Sequence, residues 1–501
     1  MQTNNSDTRR WLAFAVLLVG AFLPPLDFFI VNVALPSIRS DLGTSAAELQ
    51  LVISGYAAAY AVFLITGGRL GDLFGRRRVF LAGISGFGLT SLLCGLATSP
   101  SMLIVGRVLQ GLSAAAMAPQ GLASIHALFP VQERSRALGL YGAAVGFAAV
   151  VAQALGGALI SADILNLQWR IIFLINLPVV AAVLIGGLPL LPDARGDSPA
   201  PIDWGGVLLC ALTLGLLIVP LVEGRERGWP WWACAMLIAM PLAGLCFWRY
   251  ERAFARRGGV PLVSVDLVRM PGLMSGLAGV LFFYVVSAFF LVFSVYLQSA
   301  LGLAPLETGL VFLPFGVGFF IGPLTTPLAV RIFGSWVPAI GMLFEVAGCL
   351  YLAALVAQAP AQMPAQLPLM VAVGLLGFGQ GWALPTLVRS VIDRAPATGS
   401  GMIAGLTNSA LQISAALGVA VIGGVFFSIA GDSPDPMSMA KGLIAAMLCT
   451  GASLSLAAVL SVVASRSGHR QFPGDTGISF RPPMHNSSPR LYRRREVWVG
   501  V

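Results

Sequence analysis

The chain is poor in charged residues. Asp, Glu, Lys and Arg make up 10% of its 501 residues, whereas hydrophobic residues make up 57%. Soluble domains carry about 25% charged residues, so this composition excludes a molecule whose whole surface faces water. The mean hydropathy of +0.86 agrees. Most of the surface must face lipid, and we expect an all-α polytopic membrane protein.

Residues that build metal centres, disulfides and nucleotide sites are also scarce. The six cysteines form no C-x-x-C pair, and the three histidines lie near span ends or in the C-terminal tail, so we expect neither a metal site nor a disulfide framework. Lys441 is the only lysine, and no G-x-x-x-x-G-K-[ST], G-x-S-x-G or H-E-x-x-H pattern occurs. The sequence therefore predicts no enzyme, no cofactor and no ATP-driven transport.

Long apolar runs are abundant. A helix that crosses a bilayer needs about 20 apolar residues, and fourteen runs of that size occur. The first run is too long for a signal peptide and is expected to remain as a span. The runs lie near 11–36, 48–66, 79–98, 101–125, 137–160, 170–191, 204–222, 230–248, 272–297, 308–330, 336–357, 367–388, 403–428 and 440–463.

Polar segments divide these spans into groups of six, two and six. A turn-rich segment, 192–203, follows the first six, and an Arg-rich segment, 249–271, precedes the last six. Two six-helix halves suit a transporter whose site lies between them. The predicted units are a cytoplasmic N-terminus (1–10), an N-terminal half (11–191), an inserted helix pair (204–248), a C-terminal half (272–463) and a disordered cytoplasmic tail (464–501).

The positions of the basic residues predict the orientation. If the N-terminus is cytoplasmic, 24 of the 30 Lys and Arg residues fall in cytoplasmic segments and five fall in outer segments. Cytoplasmic loops are enriched in Lys and Arg, so both termini are expected in the cytoplasm. The net charge of +9 is explained by this flanking pattern. It lacks the basic-aromatic interleaving of a nucleic-acid binder.

Asp27 and Arg107 are oppositely charged residues inside predicted spans. Asp27 is in span one and Arg107 is in span four, with Gln110 one helical turn beyond Arg107. An intramembrane carboxyl is expensive and usually functional, so Asp27 is a candidate proton carrier with Arg107 as its candidate partner. Alternatively, Asp27 caps backbone at the Pro24–Pro25 kink, and Arg107 extends to the outer interface.

The loop between spans two and three combines glycines, one acid and a run of arginines. The glycines permit a tight turn and close helix approach. The acid could pair with the arginines or with helix dipoles in only one conformational state, which makes the loop a candidate cytoplasmic gate. A topology-setting charge patch is the alternative. The gate residues are Gly68, Asp72, Gly75, Arg76 and Arg77.

Further polar residues in spans are candidates for a transport pathway. Glu345, in span eleven, is either a second proton site or an acid at a wet peripheral face, and both interpretations stay open. Aromatic and amide side chains could line an amphipathic cavity, although each could equally serve packing. The substrate-cavity candidates are Asn32, Tyr56, Tyr60, Gln110, Gln298, Trp382, Asn408 and Gln412.

These stretches resemble the major facilitator superfamily, and most closely its fourteen-span drug/proton antiporter family of the EmrB/QacA type. The segment from Gly68 to Arg77 is similar to G-x-L-A-D-R-x-G-R-R, and Asp27 to Pro36 is similar to L-D-x-T-I-V-N-V-A-L-P. Departures occur at Phe29, at Leu73 and over 152–157, where the family's G-P-x-x-G-G is absent. Further matches are R-x-x-Q-G (Arg107, Gln110, Gly111) and W-R-x-x-F-x-x-N-x-P (Trp169, Arg170, Phe173, Asn176, Pro178).

The resemblance implies a function. It is proton-coupled efflux of amphipathic, drug-like compounds by alternating access, in a bacterial cytoplasmic membrane. Asp27, Arg107 and Glu345 would take part in proton coupling. The implied partners are the small-molecule substrate, protons, the lipid bilayer and a periplasmic adaptor protein. The alternatives are a dedicated metabolite exporter, a solute symporter of the same superfamily, or a sensor or assembly partner that does not transport.

Overall fold

The computed structural model describes residues 2–192, 202–263, 270, 272–360, 362–394, 400–431 and 435–468, and within them the regular structure is helical. The first helices are α1 (Gln2–Leu42), α2 (Ala46–Phe74), α3 (Arg76–Gly95), α4 (Pro100–Leu128), α5 (Val131–Ala162), α6 (Ile171–Leu174), α7 (Asn176–Leu190), α8 (Trp204–Glu226) and α9 (Trp231–Arg256). The others are α10 (Leu273–Phe283), α11 (Ala288–Val295), α12 (Pro305–Val311), α13 (Leu313–Phe333), α14 (Val337–Gln358), α15 (Gln366–Ile392), α16 (Ser400–Gly418), α17 (Gly424–Ala430) and α18 (Pro436–Gly468).

Short segments of tighter or wider helix continue several of these elements. A 3-10 turn, Tyr284–Ser287, joins α10 to α11, and a π-helical turn, Tyr296–Ala300, follows α11. A second π-helical turn, Val419–Gly423, joins α16 to α17. Each series therefore runs on as one membrane-length helix, Leu273–Ala300 and Ile403–Ala430.

Local sequence signals explain where helices begin and end. The Ser45 side chain accepts from the Glu48 amide while the Glu48 carboxylate accepts from the Ser45 amide, so a capping box starts α2. Ser99 caps α4 with its side chain alone, which accepts from the Met102 amide at 3.3 Å. Gly75 separates α2 from α3 because its φ of 96° lies in a region that favours glycine.

The expectation of fourteen spans is not confirmed. Within the described residues, twelve helical segments are long and apolar enough to cross a membrane. Two of the expected spans, 308–330 and 336–357, fall in one continuous segment, Pro305–Gln358, because a 3-10 turn bridges them. In the fifth expected span, 137–160, the described residues contain one shorter apolar helical segment, Val151–Ala162, which is too short to count as a span.

Two helix boundaries also differ from the predicted units. Helix α1 starts at Gln2, so the segment expected as a short N-terminus (1–10) continues the first span as helix. Helix α18 extends to Gly468, so the first residues of the expected tail are helical. Most of the turn-rich segment, 193–201, and the rest of the tail, 469–501, lie outside the described residues.

The helices pack in two groups with the same arrangement. In the first group α4 packs against both α2 and α3, and in the second α15 packs in the same way against both α13 and α14. Helices α8 and α9 pack on each other and α8 packs on α2, so this pair lies beside the first group. Contacts of α2 with α16 and of α5 with α12 and α13 join the groups.

Candidate functional site

Asp27 lies fully buried at the centre of a hydrogen-bond network. The Pro24–Pro25 step precedes it within α1. Its Oδ1 accepts from the Gln110 Nε2 and the Asn176 Nδ2, each at 2.9 Å. Its Oδ2 is paired with the Arg107 guanidinium. Both carboxylate oxygens are therefore bound by side chains from other helices.

Arg107 is held by several contacts within the first helix group. Its Nε donates to the carbonyl oxygen of Val52 at 3.0 Å, and its Nη1 also donates to Oε1 of Gln110 at 2.7 Å. The guanidinium carbon lies 4.3 Å from the ring centroid of Tyr56, a cation–π contact. Its side chain is 0% exposed. Arg107 therefore does not reach the membrane interface, and that alternative is wrong.

Ser91 and Asn176 complete the network, although neither was among the predicted site residues. The Ser91 hydroxyl accepts from Gln110 at 2.8 Å and from Asn176 at 3.2 Å. Asn176 was recognised only as part of a family motif. Both are uncharged polar residues in apolar helices, which is the signal that could have identified them. Helices α1, α2, α3, α4 and α7 thus meet at one carboxylate.

The Asp27 carboxylate does not act as a local backbone cap. The carbonyl oxygen of Pro24, freed at the proline step, lies instead 3.3 Å from the Tyr56 hydroxyl, which donates to it. Among the described residues, Nη2 of Arg107 has no hydrogen-bond partner. The network is therefore a sealed ion pair with one donor to spare, and a change in the protonation of Asp27 would redistribute its bonds.

Besides Gln110, which belongs to this network, four of the predicted cavity residues lie in the first helix group or where the two helix groups meet. Asn32 is buried and donates to the carbonyl of Phe29. Tyr60 stacks on Tyr56 at 6.2 Å between ring centroids. Gln298 Nε2 donates to the carbonyl oxygen of Val33 at 2.9 Å, which ties the second group to α1.

The other predicted residues of the second group do not join the Asp27 network. Trp382 Nε1 donates to Thr325 at 2.8 Å, between α15 and α13. Asn408 is exposed and donates to the carbonyl of Ala404 in its own helix, and Gln412 is half-buried. These contacts describe helix packing in the second group.

Glu345 is buried in the interface between α14 and α15. Its exposure is 0%, so it does not lie at a wet peripheral face of this conformation. Its Cγ lies close to Gly379, which leaves room for the side chain because it has no Cβ. Among the described residues, neither carboxyl oxygen has a hydrogen-bond partner. An ionised carboxylate is very costly in such surroundings.

The predicted gate forms contacts at one end of the first group, which we call the Arg-rich end. Arg76 pairs with Asp72 at 3.4 Å and donates to the carbonyl oxygen of Ala123 in α4 at 3.1 Å. Arg77 donates to the carbonyl oxygen of Leu188 in α7. The two arginines therefore connect the α2–α3 junction with α4 and α7.

The close helix approach in this region depends on glycines other than Gly68. A Cβ added to Gly67 would collide with the carbonyl oxygen of Ala115, and one added to Gly71 would collide with the Gln120 side chain. A Cβ added to Gly68 would meet only Pro119 at 3.8 Å, an ordinary contact. Packing therefore does not require glycine at position 68.

The opposite end, which we call the Asp41 end, has its own charged cluster. Asp41 accepts from the indole Nε1 of Trp169 at 3.0 Å and pairs with Arg170 at 2.7 Å. Arg170 also donates to the carbonyl oxygen of Ala97 at 3.1 Å. The Trp-Arg pair therefore ties the start of the sixth span to the ends of α1 and α3.

Comparison with known proteins identifies the kind of molecule that carries this network. The model of the Major Facilitator Superfamily matches residues 17–419. The chain is 36% identical over 425 residues to the "Probable actinorhodin transporter" of Streptomyces coelicolor, covering 84% of this chain and 73% of that protein. It is 35% identical over 426 residues to a puromycin resistance protein of Streptomyces alboniger, covering 83% and 82%.

A further relative is the tetracenomycin C resistance and export protein of Streptomyces glaucescens, at 32% identity over 442 residues, 86% of this chain and 79% of that protein. Among solved structures, an inward-facing bacterial homologue of the human lysosomal transporter Spinster has a TM-score of 0.63 at 18% identity. It covers 92% of this chain and 98% of its own. A bacterial homologue of human drug peptide transporters has a TM-score of 0.63 at 14% identity, covering 92% and 99%.

Proposed function

Since this chain belongs to the Major Facilitator Superfamily and is a secondary transporter rather than an enzyme, we propose that it exports amphipathic, drug-like compounds in exchange for protons. The names of three relatives refer to actinorhodin, tetracenomycin C and puromycin. Those compounds are therefore the first candidate substrates. Export of a single endogenous natural product is a narrower form of the same function.

The Asp27–Arg107 network is the observation that supports proton coupling. A carboxylate that is 0% exposed and bound by Arg107, Gln110 and Asn176 can release those partners only when it takes up a proton. Arg107 would keep its bonds to Gln110 and to the carbonyl of Val52 in that state. The network thus has two arrangements that differ by one proton, as a coupling element requires.

Access to this carboxyl must change during transport. Asp27 and Arg107 are both sealed from solvent in this conformation, so a proton reaches the carboxyl only after helices around it separate. Alternating separation on the two sides of the membrane would load and release the proton on opposite sides. A membrane potential contributes about 2.3 kcal/mol per charge per 100 mV to such a cycle.

The remaining site assignments follow the same mechanism. Asp72, Arg76 and Arg77 would hold the Arg-rich end in one state and release it in another, since their bonds reach α4 and α7. By the positive-inside rule this end would lie in the cytoplasm of a bacterial cell, with both termini on that side. Glu345 would be a second proton site, because an unpartnered buried carboxyl favours the protonated form. A periplasmic adaptor protein is a further proposed partner.

We also propose that the chain belongs to the fourteen-span subfamily, and two features favour this assignment. A straight helix of 54 residues would be about 80 Å long, more than twice the hydrocarbon thickness of a bilayer. Helices α13 and α14 have 21 and 22 residues, meet at Gly334 and both pack on α15, so each would cross separately. Helix α5, with 32 residues, is long enough for the other additional span.

Proteoliposomes that contain the purified chain test the proposal. A pH-sensitive dye inside the vesicles would report proton movement when puromycin, tetracenomycin C or actinorhodin is added. We expect the unmodified chain to move protons with at least one compound and Asp27→Asn to move none. Asp393→Asn is the matched control, because Asp393 is an exposed carboxylate that pairs only locally with Arg389. It should behave as the unmodified chain does.

The other outcomes separate the alternatives. If compounds cross equally well with Asp27 and with Asn at that position, the carboxyl is structural and proton coupling at this site is refuted. Uptake of substrate together with protons would indicate a symporter. If a folded chain moves none of a broad compound panel, a sensor or assembly role replaces transport.

A further inference from the structure

Two acidic side chains lie buried at the Arg-rich end of the helix pair α8–α9. Asp203 immediately precedes α8 and is 1% exposed, and Glu251 lies near the end of α9 and is 0% exposed. Oδ1 of Asp203 accepts from the Gly206 amide at 2.8 Å, and Oε2 of Glu251 accepts from the Val263 amide at 2.9 Å. In each carboxyl, one oxygen is thus held by a backbone amide.

The second oxygens of the two carboxyls face each other. A Cβ added to Gly206 would collide with both Oε1 of Glu251 and Oδ2 of Asp203, so these two oxygens lie within about 5 Å of each other. Neither has a hydrogen-bond partner among the described residues, and both can only accept when ionised. Two carboxylates in this arrangement repel each other unless they share a proton, which supplies the missing donor.

The nearby arginine of α2 does not supply that donor to the two facing oxygens. Arg69 of α2 is within electrostatic range of both acids, but its Nη1 and Nη2 donate to the carbonyl oxygens of Val260 and Pro261, at 2.8 and 2.6 Å. The other neighbours that can titrate or carry charge are Tyr250, whose hydroxyl is within hydrogen-bonding range of Asp203, Cys210 of α8, which is within electrostatic range of Glu251, and Arg257 just beyond α9.

These contacts hold one short segment from two sides. We call residues 260–263 the linker, because the chain continues from it towards α10 and the second helix group. Arg69 binds the linker through the carbonyls of Val260 and Pro261, and Glu251 binds it through the amide of Val263. The Glu251 carboxyl can keep its bond to the Val263 amide only while the Asp203 carboxyl does not repel it.

We propose that Asp203 and Glu251 bind one proton between them, and that this shared proton keeps the linker docked between α2 and α9. When the pair loses the proton, the two carboxylates repel each other, Glu251 turns away from Val263, and the linker loosens. The site is separate from Asp27, and its occupancy follows the pH on the Arg-rich side. It would couple that pH to the connection between the inserted helix pair and the second helix group, whatever compound is transported.

The surrounding chemistry favours a proton over a metal ion. The groups that bond the two carboxyls or lie within electrostatic range of them are the amides of Gly206 and Val263, the Tyr250 hydroxyl and the Arg69 guanidinium, which donate hydrogen bonds or carry positive charge. A hard cation would need several further oxygen ligands. Within the described residues no group of three acidic, histidine or cysteine side chains occurs.

Infrared difference spectra of the full-length protein in micelles test whether the pair holds a proton. A spectrum at high pH minus one at low pH should contain the loss of a protonated-carboxyl band. We expect that signal to disappear in both Asp203→Asn and Glu251→Gln and to persist in Asp27→Asn. A signal that persists unchanged in the first two variants would overturn the proposal, as would a carboxylate band that shifts on addition of Mg²⁺ or Ca²⁺.

Trypsin cleavage after Arg256 and Arg257, which are exposed just before the linker, tests the docking. The rate, corrected with a peptide substrate at each pH, should rise several-fold with pH in the unmodified chain. Glu251→Gln mimics the protonated pair, so its rate should stay low at every pH. Glu251→Ala cannot bind Val263, so its rate should be high at every pH. Size-exclusion profiles would verify folding, and the same pH response in all three folded proteins would refute the coupling.

Discussion

Asp27 of α1 and Arg107 of α4 form an ion pair in which neither side chain is exposed, 80 positions apart in the chain. Burying two charges is expensive, and replacing such a pair by apolar residues is often neutral or stabilising. Stability alone therefore does not explain the pair. The hydrogen bonds from Gln110 and Asn176 to the same carboxylate show that its ionised form is partnered by three side chains.

A double-mutant cycle on this pair should reveal strong coupling. Asp27→Asn leaves Arg107 charged and unpaired, so we expect it to lower the free energy of unfolding by about 3–5 kcal/mol. Arg107→Gln should cost less, because Asp27 can become neutral by protonation. The double variant should lose less than the sum of the two, by about 0.5–3 kcal/mol. Denaturant unfolding in micelles measures all four proteins.

Purely additive losses would show that the two side chains do not depend on each other. The double variant also serves the transport assay. If Asp27→Asn alone does not fold, the folded double variant still lacks the carboxyl and should move no protons.

Gly67 and Gly68 should respond very differently to alanine. A Cβ at Gly67 would collide with the carbonyl oxygen of Ala115, which cannot move without shifting α4, whereas position 68 has room. We expect Gly67→Ala to lower the melting temperature and transport strongly, and Gly68→Ala to leave both almost unchanged. Melting curves and flux assays on the two proteins check this. Equal loss in both would mean that the glycines serve backbone freedom and not packing.

Glu345→Gln should test the second proposed proton site with little structural disturbance. The amide has the same shape as a neutral carboxyl, and the carboxyl oxygens have no partner among the described residues, so folding should be retained. If Glu345 carries a proton during the cycle, the number of protons moved per substrate should fall. Simultaneous proton and substrate flux in proteoliposomes gives this ratio. An unchanged ratio would assign Glu345 to packing between α14 and α15.

Cysteine labelling should establish the orientation. In a chain whose six native cysteines are replaced by alanine, Ile164→Cys places an exposed thiol at the Asp41 end, and Asp393→Cys places one after α15. A membrane-impermeant maleimide applied to intact cells should label the first and not the second. Permeabilised cells should show both. The reverse pattern would contradict a cytoplasmic Arg-rich end.

The sequence indicated part of the site for sound physical reasons. Asp27 and Arg107 are identifiable because ionised groups are rare in apolar helices, so each requires a partner. Ser91 and Asn176 were missed because uncharged polar residues in such helices often bond only to their own backbone, as Asn408 does. Whether Ser91 and Asn176 belong to the Asp27 network depends on which helices pack together, and the sequence of a single helix does not contain that information.

The spacing of apolar runs overestimated how many separate segments the structure would show. Composition distinguishes the runs on either side of Gly334, but a 3-10 turn joins them into one segment. The glycine assignments near the gate show the same limit. A glycine count predicts close packing, but only the positions of Ala115 and Gln120 reveal that Gly67 and Gly71, and not Gly68, permit it.

The sequence by itself determined that this protein crosses a membrane with many helices, that charge in its spans is concentrated at Asp27, Arg107 and Glu345, and that its basic residues favour one side. These properties follow from composition and order along the chain, because lipid penalises each exposed charge separately. Only the tertiary structure decided that Asp27 meets Arg107, that Glu345 has no hydrogen-bond partner among the described residues, and that Asp203 lies beside Glu251 and near Arg69. Partnership between distant residues depends on helix packing, which no local property of the chain specifies.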